Sequence, residues 1–277
     1  MPELPDLAYI EKHLARALSG RQIQAVRIKE PIVLRVLVKD AFDAALTACR
    51  FQRVFRHGPF MTFEFEGGNG LIIHPMLAGR FKFGPRGGAT GRGLCFTLEL
   101  DDGTCLHYLD DKRMGKVYLV NLGDDAQVPR YAQQGVNILS KQFTLELMQS
   151  LIKKKRNQVR VFLMDQTALS AIGNAYADEI LFHARLHPKT LCSQLDEAAV
   201  AQLYDSIVAV MKWGISEVTR AAQPIERKVR DHMQVRNRKG QPCRRCGDTI
   251  RSAGVLGHDA YFCPTCQPTQ RRQFIQW

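Results

Sequence analysis

Apolar residues at Leu7, Ile10, Leu14 and Leu18 recur at three- and four-residue spacing, which predicts a helix near the amino terminus with Asp6 placed to cap it and Gly20 to end it. The pattern then changes to strands. "QIQAVRI" at 22–28, "FMTFEFEGG" at 60–68, "GLIIHPML" at 70–77 and "GRFKFG" at 79–84 each read as one strand. "CFTLELDDGTCLHYL" at 95–109 reads as two, joined by an Asp-Gly turn. These segments predict a two-layer antiparallel β-sandwich after one helix.

From about residue 142 the period returns to that of a helix. "FTLELMQSLIKKK", "VRVFLMDQTAL", "NAYADEILFHARL" and "DEAAVAQLYDSIVAVMKWGISEV" all carry apolar residues at three and four spacing, as in a helical bundle. The join falls near "DDAQVPRYAQQGVN", and a basic stretch, "IERKVRDHMQVRNRKGQPC", follows the helices. The expected organisation is α+β and multidomain, with boundaries at residues 1–135, 136–232 and 233–277.

Among the eight cysteines, two pairs stand out. "CRRC" (Cys243, Cys246) and "CPTC" (Cys263, Cys266) are C-x-x-C pairs sixteen residues apart, the arithmetic of a zinc ribbon. Four thiolates complete the closed tetrahedral shell of one structural Zn²⁺, leaving no open position for chemistry. Cys49, Cys95, Cys105 and Cys192 are scattered in apolar or mixed surroundings and read as reduced, buried thiols.

With 277 residues, 45% of them hydrophobic, the chain can bury a core, and no stretch approaches the ~20 apolar residues of a membrane span. No signal-peptide profile opens the sequence, so a cytoplasmic location is expected. The formal charge of +12 points to a polyanionic partner, nucleic acid first, because Lys and Arg that neutralise phosphates release counterions.

Proline at position 2, these elements, "IGNAYADEILF" at 172–182 and a terminal four-cysteine ribbon occur here in one order. The combination resembles the formamidopyrimidine-DNA glycosylase and endonuclease VIII family over essentially the whole chain. The most specific pieces are "PELPD" at 2–6, which looks like the formamidopyrimidine branch, the Gly173-Asn174 turn of a helix-two-turns-helix, and "QVRNRKGQPCRRCG". The resemblance implies a catalytic sandwich domain, a helical DNA-binding domain and a zinc ribbon. Its implied activity is a base-excision-repair DNA glycosylase with lyase activity.

In that reading Pro2, freed of Met1, is the nucleophile. An α-amino group has a pKa near ~8, so a good fraction is unprotonated at neutral pH. A retained Met1 would turn the Pro2 nitrogen into an inert amide. Glu3 would assist ring opening and proton transfer. Leu77 sits where the family places an apolar wedge, and in "DDKRMGK" Arg113 and Met114 match the family's Arg and aromatic wedge. Asn174 and the amides around Gly173 would grip a phosphate, and Arg160 takes the place of a basic phosphate contact. The expected partner is damaged DNA, the expected state a monomer, and the setting a bacterial-type cytoplasm, associated with the nucleoid.

Some positions depart from the family. Pro59, in "FRHGPF", stands where the formamidopyrimidine branch has a lysine, unless Arg56 or His57 supplies the charge. His258 replaces the ribbon's arginine and is a weaker, pH-dependent phosphate clamp. Residues 220–233 lack the pattern of the loop that covers a flipped base, so preference for one lesion is not inherited. These departures leave open a relative that binds damage with impaired or no catalysis. Phe274 and Trp277 could stack on bases, though packing or fraying also fits the tail.

Overall fold

The computed structural model describes residues 1–88 and 91–269; Phe274 and Trp277 lie outside the described residues. Contacts divide the chain into two compact units, residues 1–134 with 215–229, and residues 135–214 with 230–277.

The first unit begins with α1 (Leu4–Leu18), whose buried face carries Leu7, Ile10, Leu14 and Leu18 as the spacing requires. Its cap differs from expectation. Glu3 is the N-cap and Asp6 lies three residues inside, accepting the Glu3 N–H at 2.9 Å in a reciprocal capping box. Gly20, at φ +70°, turns the chain after the helix.

Two sheets follow. One has the order β1 (Ile23–Ile28), β7 (Leu94–Leu100), β8 (Thr104–Asp110), β6 (Gly79–Pro85). The other runs β2 (Leu34–Val36), β9 (Lys116–Asn121), β5 (Asn69–His74), β4 (Phe60–Phe65), β3 (Phe51–His57). The sandwich is not wholly antiparallel, because β2 pairs parallel with β9. A short helix, α2 (Phe42–Leu46), lies between β2 and β3 in the chain.

The sheets meet through rings such as Phe63 of β4 and Phe81 of β6, whose centroids lie 5.8 Å apart. Strand β4 is buried almost throughout because its other face is covered too: Phe60 packs with Val128 and Tyr131 of the segment after β9. That double cover explains an apolar run where a half-exposed strand would alternate.

The second unit holds α3 (Leu145–Lys153), α4 (Val159–Leu163), α5 (Asn174–His183), most of α6 (Glu197–Ala221), and the ribbon hairpin β10 (Arg251–Val255) and β11 (His258–Phe262). The expected helix over 159–169 ends at Leu163. Asp165 accepts from the N–H and hydroxyl of Thr167, a local alternative to helical bonding. Gln166 then spans the following turns, donating to the carbonyls of Met164 and Ile172 and accepting from Ala171 N–H, while Ala171 takes a left-handed φ of 63°. These two side chains shape the link that delivers α5.

Glu179 anchors the ribbon's approach. Its carboxylate, 2% exposed, accepts the backbone N–H groups of Gln234, Val235 and Arg236, each at 2.9 Å. Glu179→Ala would strand these donors and is expected to destabilise this unit by about 3 kcal/mol or more, with Glu179→Gln costing less. Urea unfolding of the variants, followed by circular dichroism, checks the order.

Candidate active site and nucleic-acid interface

The cap of α1 places the amino terminus. Glu3 and Asp6 are both nearly buried, at 5% and 4% exposed, and Pro2 is buried beside them. With Met1 present, its terminal amine donates to the Leu77 carbonyl at 3.0 Å. The amine pKa is pushed down to about 5, first by burial and then by the nearby Lys228 cation, while Glu3 and Asp6 pull it back up. His74 is also pushed down, to about 4, mainly by burial. As a neutral ring, it accepts the Met76 N–H at Nδ1. The Met1 amine is therefore held unprotonated at neutral pH. Lys228 was not singled out from the sequence; only its place in the basic stretch 225–243 hinted at it.

Leu77 lies in the turn between β5 and β6, after Met76 at φ 51°. Met114 lies in the turn between β8 and β9, after Arg113 at φ 53°. Leu77 is 55% and Met114 38% exposed, so neither is consumed by the core. Arg113 pairs with Glu30 at 2.7 Å on the surface, a bond worth about 0–1 kcal/mol and readily exchanged for another acceptor.

One buried ring serves both turns. A Cβ at either Gly79 or Gly115 would overlap the Tyr108 hydroxyl, so glycine at the base of each turn lets the backbone close on that ring. Asp110 fixes the second turn further, accepting from Lys112 N at 3.0 Å and Gly115 N at 2.6 Å.

Neither neighbour of Pro59 replaces the absent lysine. Gly58, at φ +55°, and Pro59 make the buried β3–β4 turn. Arg56 donates to the Gly58 carbonyl and faces Glu11, and its pKa is lowered by burial. The ring of His57 bonds the Tyr131 carbonyl at 2.9 Å.

In the second unit Gly173 is the N-cap of α5, in extended conformation, and Asn174 its first residue. Arg160 corrects the expectation of a phosphate contact: it is 0% exposed. Its Nε donates to Asp178 at 2.8 Å and its Nη2 to Asn174 Oδ1 at 2.9 Å. Burial raises the Asp178 carboxyl, opposed by the guanidiniums of Arg160 and Arg236. His258 is exposed at the start of β11.

The four ribbon cysteines bring their sulfurs within 4.8 Å of one another. Cys243 and Cys266 sulfurs lie 3.9 Å apart, those of Cys246 and Cys263 3.4 Å, near the ~3.8 Å edge of a tetrahedron with ~2.3 Å Zn–S bonds. Arg245 N–H and Cys266 N–H point at Cys243 and Cys263 sulfurs, at 3.4 and 3.5 Å. The donor set fits one structural zinc.

Three family models match the chain: the formamidopyrimidine-DNA glycosylase N-terminal domain over residues 1–117, its helix-two-turns-helix domain over 135–223, and a zinc finger found in that family and in isoleucyl-tRNA synthetase over 240–269. The formamidopyrimidine-DNA glycosylase of Exiguobacterium sibiricum is 31% identical over 96% of this chain and 99% of its own length. That of Pelotomaculum thermopropionicum is 29% identical over 96% and 99%. Among solved structures, the Lactococcus lactis enzyme in complex with DNA containing an oxidised pyrimidine superposes with a TM-score of 0.87 at 25% identity, covering 97% of this chain and 100% of that one.

Three outcomes follow from this geometry. With the Pro2 amine as nucleophile, its unprotonated form would be the reactive one, so activity should rise with pH through its pKa. The burial and the Lys228 cation that depress the Met1 amine should act on a freed Pro2 amine in the same sense, setting that acid limb below the ~7.7–8.0 of a free α-amine, and Lys228→Met should move it upward in a single-turnover pH profile. Gly115→Ala, pressed against Tyr108, is expected to cost about 1–3 kcal/mol and to show it as a lower melting temperature. Removing zinc with a chelator should unfold the ribbon and abolish tight DNA binding, both restored by Zn²⁺ and followed by fluorescence anisotropy.

Proposed function

The chain belongs to the formamidopyrimidine-DNA glycosylase family, and from that membership we infer its work: it is a base-excision-repair DNA glycosylase with lyase activity at abasic sites, acting on oxidised or otherwise damaged bases. The observation that carries the assignment of residues is the amino terminus, where Pro2 and Glu3 are buried and the surroundings depress the pKa of the Met1 amine, which donates to the Leu77 carbonyl.

Chemistry at this point proceeds from the secondary amine that Pro2 presents once Met1 is removed. Its lone pair forms a bond to C1′ of the damaged nucleotide as the C1′–N bond to the base breaks; the electrons leave with the base, which takes up the proton that the Pro2 nitrogen gives up. Glu3 supplies a proton to O4′ as the C1′–O4′ bond opens, giving a cationic iminium. That cation draws electrons from C2′; loss of the C2′ proton expels the 3′ phosphate, and water later hydrolyses the iminium to free Pro2.

Reaching C1′ requires the nucleotide to leave the stack. Leu77 and Met114 are the apolar side chains available to fill the gap, and Arg113 offers a planar fork of donors to the opposite base once it releases Glu30. Asn174 at the start of α5 and His258 on the ribbon are the proposed backbone grips. The expected domains, residues 1–135, 136–232 and 233–277, would then serve catalysis, backbone binding and ribbon support. Zinc, when bound by Cys243, Cys246, Cys263 and Cys266, supplies folding energy only. Among the described residues no helix is long and apolar enough to cross a membrane. The named relatives are bacterial, which supports a bacterial setting for this work on DNA; the monomeric state rests on the resemblance alone.

A second reading has one observation in its favour. Pro59 removes a cation at the β3–β4 turn, and Arg56 and His57 are both engaged elsewhere, which suits a damage-binding relative with impaired lyase activity. Duplexes carrying an abasic site, an oxidised pyrimidine or a ring-opened purine separate the two. The enzyme should cleave at least one and be trapped on it by borohydride, and Glu3→Gln should lower base excision by roughly 10²–10⁴-fold while binding persists. Tight, salt-sensitive binding with no trapping on any duplex would favour the second reading.

A further inference from the structure

Arg160 is an unusual residue to enclose. It arises from the five-residue helix α4, is 0% exposed, and faces Asp178 of α5, also 0% exposed, through a 2.8 Å ion pair. An isolated buried guanidinium would be severely destabilising, and Asp178 offsets that cost; Nε and Nη2 are hydrogen-bonded, while Nη1 is buried with no hydrogen-bond partner. Arg236, from the segment leading into the ribbon, donates to the other Asp178 oxygen at 2.8 Å. Both arginines also donate to the Asp259 carbonyl of β11, each at 3.2 Å.

The remaining bond ties the network to Asn174. Arg160 Nη2 donates to Asn174 Oδ1 at 2.9 Å. A carboxamide has one acceptor oxygen and one donor amino group, so fixing Oδ1 fixes Nδ2 opposite to it. Asn174 is then held as a pure donor, the polarity a phosphate oxygen requires. The Asp259 carbonyl in the same network belongs to the residue after His258, the other proposed grip. One guanidinium thus ties the α5 turn and the start of β11 to a common anchor.

We propose that Arg160 is a positioning residue for DNA backbone recognition: it does not touch the phosphate but locks Asn174 with its amino group outward and aligns it with β11 of the ribbon. The proposal rests on the reading of Asn174 as a phosphate grip. It also accounts for the choice of arginine, since a lysine ammonium lacks the planar fork that reaches Asp178, Asn174 and the Asp259 carbonyl together.

The test uses the zinc-loaded full chain and abasic-site duplexes in which phosphates flanking the lesion are replaced, one at a time, by neutral methylphosphonate. Asn174→Ala should lose on the order of tenfold in kcat/KM on the native duplex and little more on the one duplex whose replaced phosphate it grips, because that contact is already gone. Arg160→Lys should reproduce that pattern at the same phosphate, with zinc content and melting temperature close to those of the parent. Should Arg160→Lys fail to fold, Asp178→Asn, which keeps the shape and removes the charge that orients Arg160, is expected to shift activity in the same phosphate-selective sense. A loss by the folded variant of equal size on every duplex, or no loss at all, would overturn the proposal while leaving the Asn174 reading intact. An Asn174→Ala variant without phosphate selectivity would overturn both.

Discussion

A terminal amine that is to act as a nucleophile has to be held still and kept unprotonated, and both demands fall on the first turn of α1. The reciprocal cap between Glu3 and Asp6 satisfies backbone donors that burial would otherwise leave unpaired. It therefore allows the chain to begin inside the protein instead of fraying in solvent. Burial then does the electrostatic work, because desolvation disfavours the ammonium more than the neighbouring carboxylates restore it. The same carboxylates that close the helix thus lie beside Pro2, the proposed nucleophile, and the Leu77 carbonyl accepts from the Met1 amine that precedes it.

The second unit applies a different solution to a similar problem. Here the side chains proposed to meet DNA sit at the starts of α5 and β11, and charged groups inside the unit hold those starts in place. Glu179 collects three backbone N–H groups from the segment that enters the ribbon, and Asp178 gathers two arginines. Adjacent acidic residues on one helix thereby fix the ribbon hairpin, in addition to the zinc site, and no metal-centred chemistry is needed for either unit to act.

Much of this was legible in the sequence, for identifiable reasons. The α1 face, the Asp-Gly hairpin of β7 and β8, and the cysteine ribbon announce themselves through period, turn chemistry and spacing. Strand β9 and the parallel pairing of β2 did not, since pairing partners distant in sequence leave no local mark. The end of α4 was missed because helical spacing continues past Leu163 while Asp165 and Gln166 divert the backbone. Among the proposed site residues, Pro2 and Glu3 are suggested by motif alone, and Leu77 and Met114 are exposed, as the proposed wedge role requires. Arg160 could not be read correctly: a sequence shows a cation but not that Asp178 and Asn174 enclose it. Lys228 was hidden for the same reason, its relevance arising only from where the chain brings it.

The central claim is that the Pro2 amine carries the chemistry. It is tested most directly by peptide mapping of the borohydride-reduced protein–DNA adduct, with mass spectrometry locating the deoxyribose remnant. The account predicts that Met1 is absent and the remnant sits on the nitrogen of Pro2. A remnant on Lys228 or another lysine, or an active enzyme that retains Met1, would contradict it.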